Sequence, residues 1–455
     1  MRRMAADRPT PENLLPSSPT PIAGLDLAPV RGVRYATRDG ADLARLTCPP
    51  YDVIDDDQRA VLESADPRNV VRLILPRDDE SGPGTRYRNA ARTLADWLAE
   101  GALAADPEPG LYAYEMTEGG SGTAVRGLIG SLQLLEASAG VVLPHEDTMP
   151  GPVRHRLELI EATEANLEPI FLVTDGAPGA AALAVQELAG QPPLASLRAA
   201  DGSGHRLWAI TDPTVLADIA ADLLPRRALI ADGHHRYEAY MQYRAAQRRN
   251  GSSDGPWDRG LAFLVDASAF GARVQAFHRV VLDFGWSEAL RVAGTAFSVT
   301  KLQPGLDVAL PALATAGNDG TAFVLTDGER WVLLTGPDPV ALAEAMPDGH
   351  SEAWRGLDVV ALHQLLLGAL WNIEITEQTV RYVADPVAAV HLAVQRGGVA
   401  VLLNPTPFET VLEVAASGER MPQKSTLFAP KPRTGLVLRT YAEDVGSTRN
   451  IGPAR

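Results

Sequence analysis

The sequence predicts a mixed α/β chain of the α+β class. Short apolar runs of strand length are interleaved from start to finish with amphipathic segments of helical spacing, and no internal repeat occurs. The 455 residues, 45% hydrophobic and 22% charged, can bury a sizeable core and exclude wholesale disorder.

Residues 1–24, MRRMAADRPTPENLLPSSPTPIAG, have a basic pair but no apolar signal core. They read as a disordered, Pro-rich leader. VRGVRYATRDG and LYAYEMTE then alternate as strands, while DDQRAVLESAD and YRNAARTLADWLAEGAL carry helical spacing. GLIGSLQLLEA and GVVLPHEDTM are expected as a strand pair feeding a loop, VRHRLELIEATEANL as a helix and PIFLVTD as a buried strand. A weakly specified Gly/Ala/Pro-rich stretch precedes the strand HRLWAIT, the helix TVLADIAADLL and the buried strand RRALIAD. HRYEAYMQYRAAQRRN is expected as a helix with Tyr237, Tyr240, Met241 and Ala245 on one face. LAFLVDA and VQAFHRVVL resemble a further strand pair. This defines an N-terminal α/β region at 25–285. A C-terminal α/β region at 286–440 follows, with strands TAFVLTD, RWVLLTG and GVAVLLN and the apolar helix at 357–371, and then a frayed tail at 441–455.

Charge and cysteine content narrow the partners. The net charge of −16, from 41 basic and 57 acidic residues, repels nucleic acid and anionic lipid, and no apolar run reaches the length of a membrane span. Neither nucleic acid nor membrane is an expected partner, and homo-oligomerisation stays open. The single Cys48 rules out an intramolecular disulfide and fits a reducing cytoplasm, the expected location. It reads as a small buried residue. Only Lys301, Lys424 and Lys431 are lysines, and the last two share the segment QKSTLFAPK. A compact ammonium is not interchangeable with a guanidinium at a phosphate, so this segment is a candidate site.

The strongest local motif is IADGHHRYEA at 230–239. A buried strand ends in Asp232 and Gly233, and a helix begins near His235. Free amides at a helix start attract anions, Gly233 allows close approach, and His234, His235 and Arg236 supply donors or positive charge. Asp232 and Glu238 could hold Mg²⁺ or take a proton from an attacking hydroxyl. A structural alternative has Asp232 capping the helix while the histidines pack on the sheet. A third reading makes Asp232 and the histidines zinc or iron ligands. In VVLPHEDTMPGP at 141–152, His145, Glu146 and Asp147 sit in a loop, where His145 with Glu146 could supply a general base or a metal ligand. Arg154, His155 and Arg156 follow. CPPYDVID adds Asp52 behind two rigid prolines as an acid/base candidate. Gly418, Lys424 and Ser425 fit a P-loop except that Gln423 replaces the second glycine, and Pro422, Pro430 and Pro432 forbid the helix a P-loop needs.

PPYDVI at 49–54, NVVRLILP at 69–76, LPHEDTMPGP at 143–152, ATEANLEPIF at 162–171, HRLWAITDP at 205–213, IADGHHRYEA, LDVVALHQLLL at 357–367 and MPQKSTLFAPKPRTGL at 421–436 resemble, in order, the signature segments of the domain of unknown function 1015 (DUF1015) family. The likeness spans about residues 25–440. The DGHHR turn is similar to the phosphate-binding turn of the partition protein B (ParB)/sulfiredoxin superfamily, which holds CTP-binding partition proteins, ATP-using sulfiredoxins and an ADP-dependent free-serine kinase. The resemblance implies a ParB/sulfiredoxin-like phosphate-binding core with an additional C-terminal α/β part. Members often occur near serine-biosynthesis genes, which points to a phosphoserine-related substrate. One departure is His155, where the family usually has aspartate before the arginine.

The resulting expectation is a cytoplasmic phosphotransferase or phosphohydrolase acting on a nucleotide (ATP, ADP or CTP) or a small phosphorylated metabolite, with magnesium as a candidate cofactor. Gly233, His234, His235, Arg236, Arg156, Lys424, Ser425 and Lys431 would bind phosphate. Asp52, His145, Glu146, Asp232 and Glu238 would supply acid, base or, for Asp232 and Glu146, magnesium ligands. The alternatives are a non-catalytic nucleotide sensor and a metal-dependent hydrolase. On every phosphate reading Lys424 and Lys431 must approach the DGHHR turn.

Overall fold

A computed structural model describes residues 24–80, 82, 84–119, 124–271 and 273–448. The expected leader, apart from Gly24, and residues 449–455 lie outside the described residues.

The chain is mixed α/β, as its interleaved periodicities require. A nine-stranded sheet runs in the order Val142–Leu143, Ala228–Asp232, Ile170–Thr174, Arg259–Asp266, Ala124–Gln133, Leu111–Thr117, Gly204–Ile210 and Ala195–Arg198, with Leu27–Ala28 also paired to Ala124–Gln133. It is mostly antiparallel, but Arg259–Asp266 lies parallel to Ile170–Thr174, and Ala228–Asp232 parallel to Val142–Leu143. Both faces are covered. Along Leu111–Thr117 the two-residue repeat sends Leu111 and Ala113 into one core cluster and Tyr112, Tyr114 and Met116 into another. The second cluster continues through Phe171 and Phe263 to Val281, Phe323, Leu325 and Val401, joining the large sheet to a second one.

The second sheet has six strands, ordered Ser298–Lys301, Trp331–Thr335, Ala322–Thr326, Val399–Leu403, His278–Val281 and Val380–Val383. LAFLVDA and VQAFHRVVL therefore do not pair with each other. The first lies inside the large sheet, whereas the second splits into Arg273–Gln275, which pairs with Leu427–Ala429, and His278–Val281. Backbone hydrogen bonding decided this, and both partners lie far away in sequence. The apolar helix at 357–371 is also not uniform, because Asp358–Ala361 gives way to a π-helix over Leu362–Leu370.

Two other expectations shift. On the helix His234–Arg249, Tyr237, Tyr240 and Tyr243 are buried, whereas Ala245 is exposed. At the C-terminus, Tyr441–Thr448 forms a helix where a frayed tail was expected, with Tyr441 buried and its hydroxyl accepting from Asn166 Nδ2 at 3.2 Å. Cys48 is fully buried, and burial pushes its thiol up.

The segment 421–440 matters most for the site. It leaves the second sheet and runs back over the large one, through Met421 N to the His145 carbonyl at 2.8 Å, Cys48 with Thr434, Val33 with Leu438, and Arg439–Thr440 paired to Ala165–Asn166. Arg439 is fully buried and donates to Asn166 Oδ1 at 2.7 Å and to the Arg259 carbonyl at 2.8 Å.

Buried imidazoles give the fold a pH dependence of known sign. Burial holds His145 and His205 down at about 3, and His278 at about 4. The unfolded chain takes up these protons near 6.5 and the folded one does not, so their stabilisation is complete above 6.5 and is lost as the pH falls towards 4. Each contributes up to about 1.4 kcal/mol per pH unit in that window. Glu146 and Asp358, whose carboxyls burial raises, offset part of the loss. The urea midpoint is expected to drop clearly between pH 7 and pH 5, and an unchanged midpoint would contradict neutral burial.

Candidate functional site

The turn after Ala228–Asp232 is built by Gly233, whose φ of 96° lies in the left-handed region. A Cβ there would also meet the Arg236 guanidinium at 3.1–3.2 Å. The first bond of helix His234–Arg249 runs from Tyr237 N to the Gly233 carbonyl at 2.9 Å, and no side chain caps the helix. The amides of His234, His235 and Arg236 therefore have no acceptor within the helix.

The two histidines turn away from this amide cluster. His234 Nε2 accepts from His145 N at 3.3 Å, and His235 Nε2 accepts from Met149 N at 3.1 Å. Together they clamp the 143–149 loop to the helix. To accept, both must be neutral: burial is the main cause that lowers each, with His145 pushing His234 further and Lys424 pushing His235 further. His145 is buried as well, its Nε2 2.7 Å from Thr426 Oγ1, and it stays neutral near pH 7. The geometry gives all three imidazoles a loop-holding role.

That loop delivers Glu146 to a cavity of about 50 Å³, whose polar wall includes Asp52, Asp232, His234, Lys424, Thr426 and Lys431 beside it. Lys431 reaches the turn. Its Nζ is 2.5 Å from Asp232 and also binds Asp52, a residue 379 positions away. Burial disfavours both charges of the Lys431–Asp52 pair, but mutual attraction outweighs it. Asp232 and Asp52 hold Lys431 above its usual range, and Lys431 and Arg236 hold Asp52 below its own. Lys424 lines the same cavity with its ammonium 5.6 Å from the centre of the Phe277 ring. Its φ of 56° places a non-glycine residue in the left-handed region, a conformation that costs roughly 1–2 kcal/mol.

Glu146 differs from the other carboxylates. Burial raises it to about 7, Asp232 adds to the rise, and Lys424, Lys431 and the Ser425 amide oppose it. It also borders a neighbouring cavity of about 200 Å³, which it shares with His234 and which takes in Asp147, Thr148, Glu238 and Arg420.

Other expected phosphate ligands are occupied elsewhere. Arg236 is buried against Asp232 and the Pro169 carbonyl. Arg156 faces Glu168 at 3.4 Å and stacks 4.1 Å over Tyr51. Tyr51 N in turn donates to Glu168 Oε1 at 3.0 Å, so this cluster anchors the turn carrying Asp52. Ser425 is buried, its hydroxyl donating to the Pro422 carbonyl. Glu238 accepts from Gln242 and lines only the second of the two cavities. His155 lies at the surface, its Nδ1 2.5 Å from the Tyr87 hydroxyl. Sequence reasoning missed Thr426 and Phe277, which carry no motif signal of their own. It also missed Arg420, which flanks the lysine segment.

Among the described residues, no three or more His, Cys, Asp or Glu side chains are arranged to hold a metal ion. Where Asp52 and Asp232 converge, the Lys431 ammonium already supplies the positive charge. A divalent ion does not fit between them.

The sequence profile described as "Protein of unknown function (DUF1015)" matches residues 27–360. No curated protein sequence matches the chain. Among solved structures, a free serine kinase in complex with AMP is similar at 16% identity and a TM-score of 0.31, covering 67% of this chain and 90% of that one. C-terminally truncated SbnI from Staphylococcus aureus is similar at 12% identity and a TM-score of 0.35, covering 71% and 93%. A conserved hypothetical protein from Pyrococcus furiosus follows at 15% and 0.30, covering 66% and 92%. Likenesses this loose say nothing of what this chain does. Among the described residues, no helix is long and apolar enough to cross a membrane.

Proposed function

The chain belongs to the DUF1015 family, and from that premise we propose that it binds the phosphate of a nucleotide or small phosphorylated metabolite and transfers or hydrolyses the phosphoryl group. One observation carries the reading: two of the chain's three lysines face three carboxylates in a single cavity at an uncapped helix start. Phosphoryl transfer asks mainly for positioning and neutralised charge. Lys424 and the amides of His234, His235 and Arg236 hold the phosphate oxygens. Lys431 stays on Asp52 and Asp232 and keeps their charge from repelling the ligand.

Glu146, at about 7, is the group suited to exchange a proton near neutral pH. It takes the proton of the attacking hydroxyl or water. The oxygen then bonds to phosphorus, and the leaving oxygen departs with the electrons of the broken P–O bond. At about 50 Å³ the cavity is far below the roughly 300–1,000 Å³ of sites that engulf a drug-sized ligand. It takes a phosphoryl group, with the rest of the ligand outside.

Calorimetry with ATP, ADP, CTP, phosphoserine and inorganic phosphate, alongside a phosphate-release assay, tests this. Saturable binding with turnover, both lost in Lys424→Ala, is the expected result. Binding without turnover identifies a nucleotide sensor, and no binding by any of the five ligands overturns the reading. A second variant separates strain from function. Lys424→Gly relaxes the left-handed backbone and is expected to gain about 1 kcal/mol in thermal unfolding, yet weaken phosphate binding at least about tenfold through the lost ammonium.

A further inference from the structure

Behind Lys424 stands a cation that the site described so far does not use. Arg279, on the strand His278–Val281 of the six-stranded sheet, is 1% exposed. Its hydrogen-bond partners are all neutral: the Phe277 carbonyl at 2.5 Å, the Lys424 carbonyl at 3.0 Å, the Gln423 carbonyl at 3.5 Å and His363 Nε2 at 3.2 Å. The Tyr382 ring lies 4.8 Å from the guanidinium carbon. Among the described residues no carboxylate lies within ion-pairing distance, and Glu146 attracts the guanidinium only from further away; burying a cation on such terms is expensive, so the fold retains it against a penalty.

Two features show where that penalty is spent. Arg279 grips the carbonyls of Phe277 and Lys424 at once, and these residues place a ring and an ammonium against each other on the cavity wall. It also holds Lys424 by its peptide in the strained left-handed conformation. His363, which accepts from Arg279 Nε, lies within the π-helix Leu362–Leu370, a rare geometry that often accompanies functional sites.

We infer that Arg279, steadied by His363, is a positioning residue that fixes Lys424 in the cavity, tying the second sheet to phosphate binding. This rests on the phosphate reading of the cavity. A lysine cannot replace the fork, because one ammonium does not span three carbonyls and an imidazole in fixed directions.

The full-length chain has three lysines, so competitive amine labelling read by mass spectrometry follows each one directly. Lys301, on the exposed edge strand Ser298–Lys301, is the internal standard. Lys424 is exposed but held in place, so in Arg279→Lys and Arg279→Met its labelling rate relative to Lys301 is expected to change at least about twofold as its surroundings are released, with ATP affinity falling about tenfold. Should either variant fail to fold, His363→Asn, which disturbs only one of the four contacts, is expected to give a smaller change in the same direction. An unchanged Lys424/Lys301 ratio in folded variants overturns the positioning role. Labelling is independent of ligand, so absent ATP binding in the wild type would sink the phosphate reading while the labelling ratio still decides the role of Arg279.

Discussion

Lys431→Ala is expected to cost about 3 kcal/mol of stability and to abolish phosphate binding. The Lys431, Asp52 and Asp232 side chains are only 16%, 26% and 12% exposed, and removing one member of a buried ion pair leaves uncompensated charge. Here Asp52 loses its ion-pair partner, while Asp232 keeps Arg236. The penalty is set by pH with a definite sign. Asp52 is held below its usual range, so its share is present above the unfolded value of 3.8 and fades as the pH falls through the lower folded value. Lys431 is held above its usual 10.5, so its share fades only at higher pH. Urea unfolding at pH 7 measures the loss. The companion variant Lys431→Met with Asp52→Asn removes the lysine and the carboxylate it leaves behind while Asp232 keeps its pair with Arg236, and is expected to recover most of the stability without recovering binding. An unchanged urea midpoint in Lys431→Ala would mean that the pair contributes nothing.

Glu146→Gln is expected to act in opposite directions on stability and turnover. The Glu146 side chain is 21% exposed, and its carboxyl is raised from 4.5 to about 7. The unfolded chain therefore loses this proton first, and the folded state carries a penalty that is absent below 4.5 and reaches full size above 7. At pH 8 the neutral amide is expected to raise unfolding stability by about 1–3 kcal/mol. On the proposed reading, with Glu146 as the base, turnover is expected to fall by about 10²-fold or more. In the wild type, turnover is expected to rise with pH through about 7, and in the variant that rise is expected to disappear. A variant that is both less stable and fully active would exclude Glu146 as the base.

Much of the fold was legible in sequence because it is local. The strands Ala228–Asp232 and Ile170–Thr174 are nearly continuous apolar runs, the pattern of strands buried on both faces. The DGHHR turn shows itself through a glycine between a buried strand and a helix, and Gly233 does take the positive φ that such a turn demands. The lysine segment stood out through rarity alone, and Lys431 meets Asp232 at 2.5 Å.

The directions of side chains were not legible. Successive residues on a helix point about 100° apart, so a run such as His234, His235 and Arg236 cannot aim at one ligand. The histidines accept amides of the 143–149 loop, while Arg236 is bound to Asp232 and the Pro169 carbonyl. Sequence could name Arg156 as a cation but not its partner Glu168, since the pair forms only in the folded chain, where the Tyr51 turn packs against both. Arg279 carried no motif at all.

The mixed α/β class, the strand–glycine–helix turn and the identity of the two lysines worth following are written in residue order, because propensity, periodicity and composition are properties of neighbouring residues. Which charges meet is settled by the folded arrangement. The return of segment 421–440 across the large sheet places Lys431 between Asp52 and Asp232, and the second sheet sets Arg279 behind Lys424. Electrostatic energy depends on separation in space and on burial, and neither is encoded in separation along the chain.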